Sequence, residues 1–187
     1  MKVALKEWGV AVKALEEGEQ IILLRKGGIQ EETKQFELIE NRFFLYPTFE
    51  HQKVDLVKPQ YEPDFFDSMN QWDSRRSTVQ IRVFAEAVDD IEVFDEDKVR
   101  ALSPCHIWVD NVAEDRLKWK KQQPLHVLLL RVYKLPKPVV VPIHESYQGC
   151  KSWHELLQDI DADSAKPVLS DEKFAEKVLQ IRSLLAD

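Results

Sequence analysis

Several things that mark whole protein classes are scarce or missing in this chain. Two cysteines in 187 residues, Cys105 and Cys150, are too few for a disulfide scaffold and fit a reducing compartment. Aliphatic runs are short: the longest, residues 21–24 and 127–130, hold four residues each. An α-helix needs roughly 20 apolar residues to cross a bilayer, so no membrane partner is expected. The opening MKVALKEWG lacks the apolar centre of a signal peptide, and a cytoplasmic location is expected. No CxxC or HExxH spacing occurs, so neither a zinc site nor any other cofactor is indicated. There is no overall excess of positive charge either. A net charge of −7 argues against wholesale coating of nucleic acid but leaves local patches open.

What is present describes a globular domain. A hydrophobic share of 44% beside 32% charged residues is ordinary for a folded protein, and a chain this long buries roughly 70% of its unfolded surface. Charge is unevenly spread. Residues 86–97 carry seven acids and no base, whereas residues 116–137 carry seven bases and no acid.

Apolar patterning suggests the elements. Trp8, Val10, Val12 and Ala14 alternate with Gly9, Ala11 and Lys13, predicting a strand that turns at residues 16–19 and pairs with a second strand over 20–25. That second strand ends at Gly27 and Gly28. Residues 30–41 form a short helix or a loop, and residues 42–46 a third strand stopped by Pro47. Phe65, Phe66, Met69 and Trp72 lie at helical spacing. Residues 78–88 read as a strand with Val79, Ile81, Val83 and Ala85 on one face. Asp95 can N-cap a helix running to Leu102, where Ser103 and Pro104 end it, and residues 112–120 have helical spacing. Residues 125–135 suit a central strand, after which Pro136 and Pro138 turn the chain into Val139, Val140 and Val141. Ser152 and Glu155 have the capping-box spacing of a helix start, and Ser170 caps a last helix lined by Phe174, Val178, Ile181, Leu184 and Leu185. The expected fold is α+β: a mainly antiparallel sheet with packed helices and a peripheral C-terminal helix. One domain is expected over residues 1–158, followed by a linker and helix over 159–187.

Candidate sites each have a functional and a structural reading. Arg25 and Lys26 before the glycine pair can present cations and amides to a phosphate, or simply precede a turn; the spacing is neither a Walker loop nor a dinucleotide fingerprint. Glu50 or His51, in a polar run after a strand, can serve as general base, or His51 and Thr48 can satisfy backbone groups in a bent loop. Asp64 with Glu96 and Lys98 resembles the carboxylates and lysine of magnesium-dependent nucleases, although Glu96 and Lys98 fall at a helix start instead of on a core strand. Cys150, just before an expected helix and four residues from His154, is either an activated thiol or a buried structural one. The basic stretch offers Arg116, Lys118, Trp119, Lys120, Lys121 and Arg131, with His126 and Tyr133 for stacking, or else a solvated helix face and strand edges.

Several phrases taken together resemble the uncharacterised bacterial family known as domain of unknown function 1802. They are Leu24-Arg25-Lys26-Gly27-Gly28-Ile29, Tyr46-Pro47-Thr48 with His51-Gln52, His106-Ile107-Trp108, Trp119-Lys120, Leu130-Arg131-Val132-Tyr133, and Tyr147-Gln148-Gly149-Cys150 with Ser152-Trp153. The resemblance covers about residues 4 to 157. It implies no catalytic residue. The association of some members with restriction-endonuclease-like domains implies a role in restriction or DNA handling. The leading expectation is a nucleic-acid-binding module with DNA or RNA as partner. The alternatives are a magnesium-dependent nuclease and a protein-binding component whose acidic segment meets a basic partner.

Overall fold

The computed structural model describes residues 1–26, 36–70, 77–119, 123–147 and 151–186. Gly27, Gly28, Trp72, Lys120, Lys121 and Cys150 lie outside them, as does the expected glycine turn. The described residues form strands β1 (Val3–Trp8), β2 (Ile22–Arg25), β3 (Arg42–Thr48), β4 (Thr78–Val93), β5 (Leu125–Pro142), β6 (Trp153–Glu155) and β7 (Lys166–Pro167). The α-helices are α1 (Gly9–Glu16), α2 (Glu62–Asn70), α3 (Glu96–Ala101), α4 (Asp110–Lys118) and α5 (Asp171–Leu185). Among the described residues no helix is long and apolar enough to cross a membrane.

The strands make one sheet in the order β2-β5-β4-β3-β1-β6, with β7 on β5. Only the β1–β3 pairing is parallel, so the sheet is mainly antiparallel with helices packed on it, the expected α+β class. Its spine is the β4–β5 ladder, running from Thr78↔Pro142 to Val93↔Leu125. Successive side chains leave a strand on opposite faces. Phe43 and Leu45 therefore join one apolar core, with α1, α4 and α5, while Phe44 and Tyr46 join the second.

The β4 alternation holds only up to Ile81. Between Ile81 and Val83 the partner on β5 jumps from Val139 to Lys134, a bulge that places extra β5 residues opposite Arg82. Val79 and Ile81 consequently belong to one core, and Val83 and Ala85 to the other, instead of all four sharing a face. Pro136 and Pro138 lie in the same bulge, where no ladder donor is required. The turn expected there is an irregularity inside one long strand.

Three other expectations near the amino and carboxyl ends are corrected. Residues 9–16 are helix α1, and the strand is the preceding β1. Gly9, Val10, Ala11, Val12, Ala14 and Leu15 are all buried, so the helix has almost no polar face and its apolar period is hidden. Pro47 stays within β3: beyond Phe44 that strand pairs only with β1, and Pro47 needs no donor on its other side. Residues 153–155 form strand β6 on the edge of β1, not a helix, with Leu156 N donating to Lys2 O at 2.8 Å. Trp153 decides this, since its ring packs on Phe43 at 5.0 Å and its Nε1 donates to Glu37 O at 2.8 Å.

Other expectations hold. Asp95 Oδ1 accepts from the amides of Asp97 and Lys98 and caps α3, and Ser170 Oγ accepts from Lys173 N to cap α5. Phe174, Val178, Ile181, Leu184 and Leu185 of α5 pack on the first core.

Candidate functional site

A sheet has two end strands, and here β2 and β6 are brought face to face. Arg25, the last residue of β2, donates from Nη2 to Ser152 Oγ at 2.6 Å, just before β6. Its Nη1 reaches Glu7 Oε2 on β1 at 3.0 Å and Lys6 O at 3.4 Å. Side chains thus close a gap that no backbone ladder spans among the described residues, and we call this gap the seam. Glu7 is 4% exposed, and its other oxygen accepts from Trp8 N at 2.8 Å. A carboxylate this deep in the protein is tolerable only because it is paired and hydrogen-bonded.

A second guanidinium enters the seam from α4. Arg116 donates from Nη1 to Leu24 O at 2.8 Å and lies over the Trp108 ring at 5.3 Å. Burial pushes its pKa down; Glu7 opposes that shift and Arg25 adds to it. An arginine remains charged under such a shift, so the seam gathers two guanidiniums near one carboxylate, of which Arg25 is the one paired with it. Lys26 Nζ, also buried, donates to Leu117 O at 2.7 Å and to Gln123 O, and burial lowers its pKa. Those carbonyls lie at and beyond the end of α4, where a cation suits the helix dipole. The end of β2 and the start of the basic stretch therefore meet. Phe36 lies beneath Arg25 at 5.4 Å, with Trp153 stacked at 5.9 Å and His126 edge-on at 5.5 Å. His126 Nδ1 is in turn 2.9 Å from Asp90 Oδ1.

Lys118 and Arg131 of the basic stretch serve internal contacts. Lys118 bridges Glu96 at 2.6 Å and Glu114 at 3.6 Å, and the hydrogen bond to Glu96 raises its pKa. Arg131 pairs with Asp171 at 2.6 Å and covers the Phe174 ring at 4.6 Å, pinning α5 to the sheet. Trp119 ends α4 and is 42% exposed. Lys120 and Lys121 lie outside the described residues. The acidic segment is similarly engaged: Asp89 pairs with Arg182 at 2.9 Å, Asp90 with His126, and Asp95 caps α3.

The nuclease candidates are held on separate elements. Asp64 of α2 pairs with Lys13 of α1 at 3.4 Å, while Glu96 begins α3 beside Lys98 and pairs with α4. Among the described residues no group of three or more His, Cys, Asp or Glu is placed to hold a metal ion. Glu50 and His51 are exposed, and His51 has φ 62°, a left-handed conformation unusual outside glycine. That bend lets Gln52 Oε1 accept from Val10 N near the start of α1 at 3.2 Å, while Thr48 Oγ1 donates to Glu7 O at 3.3 Å. Thr48 and Gln52 thus bond backbone groups, so the structural reading given above holds for Thr48, while His51 supplies the bend. Cys150 lies outside the described residues, and the helix that was to activate it is β6. His154, on that strand, has its pKa lowered by burial and then by Lys6.

Glu7 and Ser152 complete the seam without having been singled out for it. Glu7 carried no signal because the first strand was placed on Trp8 to Ala14, just beyond it, whereas β1 is Val3–Trp8. Ser152 was noted only as a helix cap.

A family model described as Domain of unknown function (DUF1802) matches residues 4–180, taking in most of α5 as well as the phrases quoted above. No curated protein matches the chain. Among solved structures, a mutant protein of ZmASCH from Zymomonas mobilis is 12% identical, with 96% of this chain and 94% of that one covered and a TM-score of 0.47. ASCH from Zymomonas mobilis is 13% identical over 95% of this chain and 92% of that one, at a TM-score of 0.45. Likeness this distant leaves the chemistry to the chain's own residues.

Proposed function

The chain belongs to the family described as Domain of unknown function (DUF1802), and from the geometry of its seam we propose that it is a nucleic-acid-binding module. One observation carries the reading: where the ends of the sheet meet, Arg25 holds Glu7 at 3.0 Å while Arg116, bonded to Leu24 O, has no carboxylate partner of its own among the described residues. That leaves one positive charge in excess, on a group whose planar fork matches phosphate oxygens. Lys26 beside it adds to the local field. Net charge does not oppose this, because several acids of residues 86–97 are already engaged: Asp89 with Arg182, Asp90 with His126 beside the seam, and Asp95 as the cap of α3. The resemblance that links the family to restriction makes DNA the first ligand to try, with RNA beside it.

The test is fluorescence anisotropy with labelled single-stranded and duplex oligonucleotides across a salt series. Binding is expected to weaken with salt, by about 0.7 to 0.9 in log–log slope for each phosphate neutralised. Arg116→Gln should lower affinity about tenfold and flatten the slope by about one contact, whereas Lys118→Gln, outside the seam and bound to Glu96, should do little. Salt-independent binding, or full binding by a folded Arg116→Gln variant, would defeat the proposal.

A further inference from the structure

A cleft of about 200 Å³ opens between α1 and the β4–β5 bulge, away from the seam residues described above. Its apolar side is Val12, Pro47 and Phe49. The Phe49 ring is seated on Gly9, where an added Cβ would come within 2.5 Å of it, so the ring is held in place as a floor. The polar side centres on Glu16, whose side chain is only 10% exposed. Arg82 Nε donates to both Glu16 oxygens at 3.2 Å, and Lys134 Nζ approaches one of them at 2.7 Å. Both cations are there because of the bulge: Arg82 is the residue skipped in the register, and Lys134 is the partner to which the register jumps. Bulges commonly re-aim side chains beside functional sites.

Lys13, also on the wall, is held by Glu17, which raises its pKa. Lys13 is also 3.4 Å from Asp64, so the three cations and three carboxylates gathered here balance, but Arg82 and Lys134 have only Glu16 between them. Donors remain as well. Arg82 Nη1 is used by Gln80 Oε1 at 3.0 Å, while Nη2 has no hydrogen-bond partner among the described residues. Lys134 is 54% exposed, and among the described residues its Nζ is paired with Glu16 alone.

We propose that this cleft binds a small molecule bearing one oxyanion on a short, flat apolar body. The anion sits on Arg82 and Lys134, and the body lies on Val12, Pro47 and Phe49. A phosphate monoester and a carboxylate share this chemistry, and the size of the cleft favours a compact ligand over a nucleotide chain. The site is independent of the seam.

The experiment titrates the full chain with phenyl phosphate, benzoate and inorganic phosphate, using calorimetry or ligand-observed NMR. Phenyl phosphate or benzoate should bind saturably and more tightly than inorganic phosphate, and the tighter of the two identifies the anion. Arg82→Gln should weaken that binding about tenfold or more, because it removes a charge-assisted fork. Lys134→Gln, at an exposed position, should act in the same direction should Arg82→Gln fold poorly. Glu16→Gln should tighten binding by removing the internal competitor. If neither aromatic anion binds saturably, or a folded Arg82→Gln or Lys134→Gln variant binds as the native chain does, the proposal is wrong.

Discussion

Two places in this fold gather two cations around one carboxylate, and they differ in how much water they keep. At the seam Glu7 has a side chain 3% exposed and Arg25 one 16% exposed; at the bulge cleft Glu16 is 10% exposed but Arg82 and Lys134 are 37% and 54% exposed. The attraction between like pairs of charges rises as the surroundings lose water, and so does the cost of leaving one partner alone. The seam is therefore expected to hold the sheet ends together while it presents charge, and the cleft to hold its cations loosely enough to release them to a ligand.

The comparison can be broken at its strong end first. Glu7→Ala leaves the largely buried Arg25 without its carboxylate and should destabilise the fold by about 3–5 kcal/mol, seen as a fall in urea or thermal midpoint. A loss under about 1 kcal/mol would mean that the seam is as wet as the cleft.

Acid offers the next largest effect. His106, close enough to Arg116 to feel its charge, is 3% exposed, and burial chiefly lowers its pKa from 6.5 to about 4. The unfolded chain therefore takes up this proton first as pH falls. This contribution to stability is fully present above about pH 6.5 and is lost as the pH drops towards 4, by about 3 kcal/mol in total. Denaturation curves across that range should show the loss in the native chain. The corresponding part of the slope should be missing from His106→Leu, whatever that variant's stability at pH 7.

At the cleft the effects should be smaller. Gly9→Ala gains helix propensity but drives a Cβ to 2.5 Å from the Phe49 ring, for a net loss of about 1–2 kcal/mol. Pairing it with Phe49→Leu should restore part of that loss in a double-mutant cycle. Glu16→Gln should change stability least, by about 1 kcal/mol or less, because its partners remain in contact with water. A drop as large as that of Glu7→Ala would erase the distinction between the two regions.

How much of this could be read beforehand varies by element. The cap at Asp95, the face of α5, the central place of residues 127–130 and the α+β class all rest on contacts a few residues apart or on simple alternation, and each is found. Helix α1 was illegible because burial on every side erased its period. The β4 face was misassigned because a bulge leaves no trace in alternation when apolar residues stand on both sides of it. Strand β6 was misjudged because Ser152 and Glu155 have a cap's spacing, while the edge of β1 and the packing of Trp153 claim the segment. Of the candidate site, Arg25, Lys26 and Arg116 were singled out as cations, but their meeting and the place of Glu7 were not.

Composition, local periodicity and capping chemistry, all short-range, were enough to determine a mixed domain without an apolar helix fit for a bilayer, along with most of its strands and helices. Tertiary structure alone decided which charges are spent on holding the fold and which are gathered. Lys118 and Arg131 look equivalent to Arg116 along the chain, yet Glu96 and Asp171 neutralise the first two, while Arg116 is held by Leu24 O with no carboxylate partner among the described residues. Coulomb energies depend on distance and burial, and neither is written in the order of residues.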